Sequence, residues 1–256
     1  MKMLVTMATS LVLAMGLALP GSGEELPLFD LTGTWAVMQV TSDIVVYPFV
    51  GQRTRTTTLI LHVEMRQSGS NVTVAETHCL VDTDDGTNMV VTEIPEAFLR
   101  SLGVVERTAT LQATVDGWRF VEPWPTEVHG ARLADPVNDP LPTTADDPRV
   151  FDQDGDGNPG ITVRVTVLGL ISGEVYAVQR LSKLLEGKVV TPDLIRGLIT
   201  WTNEQVTIGA SNPFLNTNGD AEIDPVRERS YFVAIRVPSE TTCDDLKANW
   251  RALFGR

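Results

Sequence analysis

The run FDQDGDGNPG, residues 151–160, sets Asp152, Asp154, Asp156 and Asn158 at alternate positions, with glycines among them. A hard cation such as Ca2+ is held by several oxygen ligands at ~2.3–2.6 Å in a flexible cage. Three carboxylates at loop positions 1, 3 and 5 begin such a set. Gly157 at position 6 permits a sharp reversal, and the carbonyl of Asn158 at position 7 adds an oxygen. The expectation is one structural Ca2+ loop built from Asp152, Asp154, Asp156 and Asn158, which orders the chain ahead of ITVRVTV. The competing reading is an Asp/Gly turn with solvated charges. Further oxygens could come from water, from Asp146 and Asp147, or from NTNGDAEID with Asn216, Asn218, Asp220 and Asp224. DTDDG, with Asp82, Asp84 and Asp85, reads as a hairpin tip.

Other catalytic chemistry is thinly represented. His62, His78 and His129 form no H-x-x-x-H spacing and there is no C-x-x-C, so zinc is not expected. No G-x-S-x-G elbow, Cys/His nucleophile or Gly-rich phosphate loop occurs. Glu204 in WTNEQ is the most strand-embedded carboxylate for a glycosidase-type pair, but its position also suits an ordinary polar strand residue. Trp118 and Trp124 could stack on a ligand or pack in a core or rim. Asn71-Val72-Thr73 is a glycosylation sequon, relevant only in a eukaryotic secretory path. The balance favours a binding or structural module over a catalyst; a carboxylate-pair hydrolase is the third reading.

The first 23 residues carry one charge (Lys2), an apolar stretch and then small residues, and read as a secretory signal peptide, with a mature chain from Glu24. The apolar stretch is short for a membrane span, and no later one is longer. Losing Lys2 and no acid takes the formal charge from −13 to −14. So acidic a chain is a poor partner for nucleic acid or anionic lipid. In an oxidising compartment Cys79 and Cys243 read as a disulfide. Closing so long a loop is worth up to about 5 kcal/mol in the chain-entropy model. The expected location is secreted or periplasmic.

Elements that would position these residues show period-2 alternation. The apolar sides are Leu59, Leu61, Val63 and Met65; Ala109, Leu111, Ala113 and Val115; Ile161, Val163, Val165 and Val167; and Tyr231, Val233, Ile235 and Val237. Less regular strands are expected at 33–49, 71–81, 88–93, 174–181 and 198–208, and Asp116-Gly117 marks a hairpin. TTCDDLKANWRALF sets Cys243, Leu246, Trp250 and Leu253 on one helical stripe. Its capping box is either Thr241 with Asp244 or Thr242 with Asp245. IPEAFLRSLG is a shorter helix, with Pro95 in its first turn and Gly103 past its end. Residues 123–159, rich in Pro and Asp, read as an irregular insertion. The expected architecture is all-β: one domain over residues 24–256, an antiparallel closed or partly closed barrel with a C-terminal helix packed outside. A β-sandwich is the alternative.

LTGTWAVMQV, residues 31–40, resembles the opening strand of lipocalins and related calycin barrels, whose mark is a Gly-x-Trp: here Gly33-Thr34-Trp35. The resemblance implies that Trp35 plugs the closed end and that a late Arg, here Arg236, packs over it. It also implies a helix on the wall, often with a disulfide nearby, and a cavity for a small hydrophobic ligand. The chain departs from the family in lacking its middle motif and in carrying the insertion. The Asp loop follows the order of an EF-hand as far as position 7, then has Val163 where the bidentate Glu belongs. It looks closer to the aspartate loops of integrin-type propeller blades, which carry an acidic residue where this chain has Gly160. The leading expectation is an exported binding protein for a small apolar ligand. The alternative is a calcium-stabilised surface or adhesion module with a filled interior.

Overall fold

The computed structural model describes residues 28–47, 50–218 and 220–256. The expected leader, 1–23, and the expected start at Glu24 lie outside them. The described residues form eleven strands paired antiparallel: β1 (Gly33–Tyr47), β2 (Gly51–Ser68), β3 (Asn71–Asp84), β4 (Val90–Glu93), β5 (Val104–Thr114), β6 (Gly117–His129), β7 (Ile161–Val167), β8 (Ile171–Thr191), β9 (Leu194–Ala210), β10 (Asp220–Ile223) and β11 (Tyr231–Arg236). Two helices join them, α1 (Glu96–Ser101) and α2 (Cys243–Phe254). The strands make one sheet. Its order β8-β6-β5-β3-β2-β1-β11-β9 returns to β8 through the β8–β9 pairing, so eight strands form a ring. β7 pairs with β8 and carries β4; β10 pairs with the upper part of β1.

Alternation decides which side chains face in. Leu59, Leu61, Val63 and Met65 of β2 point into the ring with Trp35 and Val37 of β1 and Phe120 of β6. The next residue over, Ile60, is equally buried but faces out, with Ala36, Met38 and Val40, under α2. β11 behaves the same way and reverses the expectation. Tyr231, Val233 and Val237 lie outside against α2, while Phe232 and Ala234 fill the interior. In β5 the alternation buries Arg107, Ala109 and Leu111; Ala113 and Val115 are exposed beside the Asp116-Gly117 turn.

α2 is held by its ends and its stripe. Thr242 is its N-cap, and the reciprocal box with Asp245 satisfies two end groups. Gly255 closes it in a left-handed conformation. Leu246 and Trp250 bury the stripe, each worth roughly 1.5–3 kcal/mol of apolar burial. Cys243, at the first turn, is bonded to Cys79. A bulge between the Ile60/Leu80 and Leu61/His78 pairs puts both Cys79 and Leu80 on the outer side, where Cys79 meets the helix.

One end of the ring is closed. Trp35 is fully buried, its Nε1 donating to Leu31 O at 2.9 Å. The Arg236 guanidinium lies 4.6 Å from its ring centroid and donates to Thr32 O, Asp30 O, Pro192 O and Asp193 Oδ1. A Cβ at residue 33 would stand 2.5 Å from Arg236 Nη1, which explains the glycine of the Gly-x-Trp.

Two stretches differ from the sequence reading. β8 and β9 make one long hairpin, so strand also spans 182–197 apart from the turn at Pro192-Asp193. In LSKLLEGKVV, Lys183 interrupts the apolar side and Leu184 the polar one, which conceals the period. The irregular segment starts after residue 129, since β6 continues through Pro123 and Pro125. There β6 has β8 as its neighbour, the β5 pairing having ended at Val121, so the missing N–H groups break no second ladder. Residues 130–160 then pack outside β8 and β9, burying Ala131 and Leu141 against Val178 and Ile208. Arg180 Nη1 donates to Pro136 O, Val137 O and Asp139 O and fixes that segment.

Candidate functional site

The inward faces change character partway up the ring. Near the closed end they are apolar: Trp35, Val37, Val72, Val74, Leu111, Phe120, Leu185 and Phe232. Farther along the same faces come Gln39 in β1, Glu76 and His78 in β3, Arg107 in β5, Glu122 and Trp124 in β6, and Lys183 in β8. Gln39, Glu76, Arg107, Glu122 and Lys183 each keep the parity of an apolar residue two positions away, and His78 and Trp124 continue the rows of Glu76 and Glu122, so the strand directs each inward whatever its polarity.

These groups make a compact network. Arg107 Nε donates to Glu76 Oε2 at 2.7 Å. Its Nη2 stands 2.5 Å from Glu127 Oε1 as an ion pair rather than an aligned hydrogen bond. The Arg107 guanidinium carbon is 3.7 Å from the Trp124 ring centroid, and Trp124 Nε1 donates to Glu122 Oε1 at 2.8 Å. Lys183 Nζ donates to Gln39 Oε1 at 2.9 Å and lies 4.4 Å from the Trp124 ring. Burial, reinforced by the negative charge of Glu122, holds the Glu76 carboxyl well above the usual carboxylate range; burial raises Glu122 too. Two buried carboxyls that repel each other are stable when they share one proton. With that proton, Arg107 and Lys183 balance Glu127 and the Glu76–Glu122 pair, and the layer is neutral. Burial lowers the Lys183 ammonium to about 8 and His78 to about 3, and lowers His129 as well, so both imidazoles are neutral at pH 7.

Above this layer the interior is hollow. One cavity of about 210 Å³ has Gln39, His78, Trp124, Glu127, His129 and Lys183 on its wall. Leu59, Phe98, Ile161, Val163 and Trp201 supply apolar wall. A second of about 400 Å³ lies toward the open end, among Val45, Val90, Val165, Val175 and Leu215. The two share Arg55, Thr92, Val163, Asn203 and Gln205, so they adjoin. Arg55 is paired with Asp43 at the junction, by hydrogen bonds of 3.1 and 2.5 Å. α1 forms part of the wall: β3 pairs with β5 only as far as Thr77, and beyond it Phe98 and Leu99 pack against Val81, Ile161 and Ala177. Two polar atoms of the inner cavity's lining residues have no protein partner, Gln39 Nε2 and His78 Nδ1. Glu76 and Glu122 are not among the residues that line either cavity. Glu204 holds Arg180 by two hydrogen bonds, at 3.0 and 2.8 Å.

The Asp loop lies outside the ring. One oxygen from each of Asp152, Asp154 and Asp156 falls within 4.8 Å of the others, a spread that a cation at ~2.4 Å from each can span. Asp152 accepts from the backbone N–H of Gly155, Asp156 and Gly157, which wraps the turn around it. Asp154 Oδ2 accepts from Thr162 N, tying the loop to β7, and its Oδ1 is buried without a partner. Desolvation, with Asp156 and Asp152 adding repulsion, raises the Asp154 carboxyl. The Asn158 side-chain amide donates to Asp156 Oδ2 at 3.2 Å. Gly157 has φ +89°, and a Cβ on Gly160 would stand 2.4 Å from Ala177 O.

Three of the other oxygen sources are engaged elsewhere. Asp147 chelates Arg149. Asn218 Oδ1 accepts from Thr207 N, and Asp224 is buried against Ser42 and Arg229. Asp85 ties the turn between β3 and β4, which are not a hairpin, since β4 pairs with β7.

The structure thus brings together the three aspartates, the two cysteines, and Trp35 with Arg236. The sequence reading missed the interior layer except for Trp124 and the two histidines. A signal was present: in Val72-x-Val74-x-Glu76, Arg107-x-Ala109-x-Leu111, Phe120-x-Glu122-x-Trp124 and Leu181-x-Lys183-x-Leu185 a charge continues an apolar parity. No known family model, curated protein or solved structure matches the chain. Among the described residues no helix is long and apolar enough to cross a membrane.

Proposed function

We propose that the protein is an exported, lipocalin-like β-barrel that binds a small uncharged ligand with an apolar body and a head that accepts hydrogen bonds. The observation carrying this reading is a largely apolar cavity with a few polar residues, among them Gln39, His78, His129 and Lys183, on its wall. Binding pockets combine apolar walls with a few such orienting groups, and typical volumes are ~300–1,000 Å³. The neutral layer disfavours a charged head, because a buried charge without a counter-ion is expensive. Trp35 under Arg236 at a closed end, and a helix on the outer wall, support the lipocalin-like architecture. Export is supported by the leader-like first 23 residues and by the disulfide.

Calorimetric titration with 2-acetonaphthone, naphthalene and 2-naphthoate tests the reading. The ketone should bind best, the hydrocarbon roughly tenfold weaker for want of one hydrogen bond, and the carboxylate weakest at pH 7. Tightest binding of the carboxylate, or no binding by any of the three, rejects it; the latter favours an adhesion module.

The Asp152–Asp154–Asp156 loop is assigned as a structural Ca2+ loop of modest affinity, supported by the convergent oxygens and by the partnerless Oδ1 of Asp154. Its role would be to hold the end of the 130–160 segment against the start of β7.

A further inference from the structure

We infer that the Lys183 amine is a nucleophile that captures an aldehyde-bearing ligand in the interior cavity as an imine. The inference rests on the ligand-cavity reading above and specifies the head group.

Three features of the site lead to it. Lys183 is one of four lysines in a chain with sixteen arginines, and it occupies an inward position between Leu181 and Leu185. Arginine would supply a permanent charge there and no nucleophile; lysine can give up its proton when desolvated. The amine is on the cavity wall, and its hydrogen-bond acceptor is the neutral Gln39 Oε1 at 2.9 Å. No carboxylate is paired directly with it, in contrast to Arg107, so no ion pair has to break to free its lone pair. Burial also brings its ammonium down to about 8, which leaves a useful fraction of free amine near neutral pH.

The neighbours suit the reaction. Gln39 holds Nζ through its Oε1, and the cavity beside the amine gives room for an aldehyde carbon to approach. The Nζ lone pair forms the C–N bond as the carbonyl π pair moves to oxygen. A proton passes from nitrogen to that oxygen, giving a carbinolamine, and C–O cleavage releases water as the C=N bond forms. Aldehyde and amine become imine and water, with no change in oxidation state. A protonated imine carries the charge the ammonium carried, so Glu127 and the Glu76–Glu122 pair balance it as before. An acid head group would instead add a charge the layer cannot offset.

The experiment uses the full protein at pH 7 with 2-naphthaldehyde and sodium cyanoborohydride, which traps an imine as a stable secondary amine. Calorimetry without the reductant reports binding of the probe. Mass spectrometry should find one adduct, the mass of the aldehyde less one oxygen, and peptide mapping should place it on Lys183. The expected labelling rate at Lys183 is at least about tenfold that at Lys188 or Lys247, because an ordinary lysine holds its proton to ~10.4. Lys183→Arg should abolish the fast adduct while Lys188 and Lys247 label as before; the wild-type site ratio decides the matter even if that variant folds poorly. If the probe binds yet labels the three lysines evenly, the imine is refuted and the ligand cavity stands. If the probe does not bind, both fall.

Discussion

The closed end of the ring and its middle are built from the same strands, often two residues apart, and use the inward direction in opposite ways. At the closed end Trp35, Val37, Phe120 and Phe232 fill the space and leave Arg236 outside as a lid. In the middle Gln39, Glu76, Arg107, Glu122 and Lys183 occupy the same inward rows and leave a cavity above them. The difference is that packing is satisfied by shape alone, whereas buried charges must be satisfied one by one. The layer achieves this by sharing a proton and by stacking both cations near Trp124. What remains open is the space above the layer, where Lys183, His78 and His129 stand on an otherwise largely apolar wall.

Removing a side chain from each region should separate the two principles. Phe232→Ala should lose ~3–5 kcal/mol in chemical denaturation through cavity formation. Arg107→Met should lose a similar ~3–5 kcal/mol at pH 7, because Glu76 and Glu127 keep their burial and lose their partner. The two losses should respond differently to pH. The Phe232 loss should stay constant between pH 7 and 5. The Arg107 loss should shrink as pH falls, since the folded variant takes up protons on carboxyls whose folded pKa lies above the unfolded one. Equal pH dependence would contradict the charge account.

Lys183 gives a smaller effect with its own direction. Its folded pKa of about 8 lies below the ordinary lysine value, so folding releases a proton between the two. Stability from this group is complete above ~10.4 and is lost as pH falls to 8, a difference of at most about 3 kcal/mol. Wild type should therefore gain stability relative to Lys183→Met from pH 8 to 10.4. Parallel curves for the two proteins would show that the amine is not desolvated.

The Asp loop, outside both regions, should have the least influence. Ca2+ at ten times its Kd adds about 1.4 kcal/mol, a few degrees in Tm for a chain of this size. Asp154→Ala should abolish the shift, and a wild-type melting curve unmoved by chelation would remove the loop from the account.

Much of the scaffold was legible in the residues. The alternation of Leu59 to Met65, the Thr242–Asp245 box and the Cys79–Cys243 pair each rest on local chemistry that the fold leaves intact. What failed depended on what covers each face. Tyr231 and Val233 look like inward residues until α2 is laid over β11, which makes both faces apolar. The run 182–197 hides its period because Lys183 serves the interior and Leu184 breaks the polar side. The interior layer was missed for a related reason: a charged residue in an alternating strand reads as solvated, and only its shared parity with Val74, Leu111, Phe120 and Leu185 reveals the inward direction. The cavity has no counterpart in one strand, since it arises where eight of them close.

The central claim is that the middle of the ring is a desolvated, ligand-accessible space, and Lys183 is its natural reporter. An NMR titration of the lysine side chains, with and without 2-acetonaphthone, tests it most directly. The account predicts one lysine titrating at about 8, assigned to Lys183 by its loss in Lys183→Met, whose resonance and titration shift when the ketone is added. If every lysine titrates near ~10.4 and none responds to the ketone, the interior is either open to water or filled, and the account is wrong.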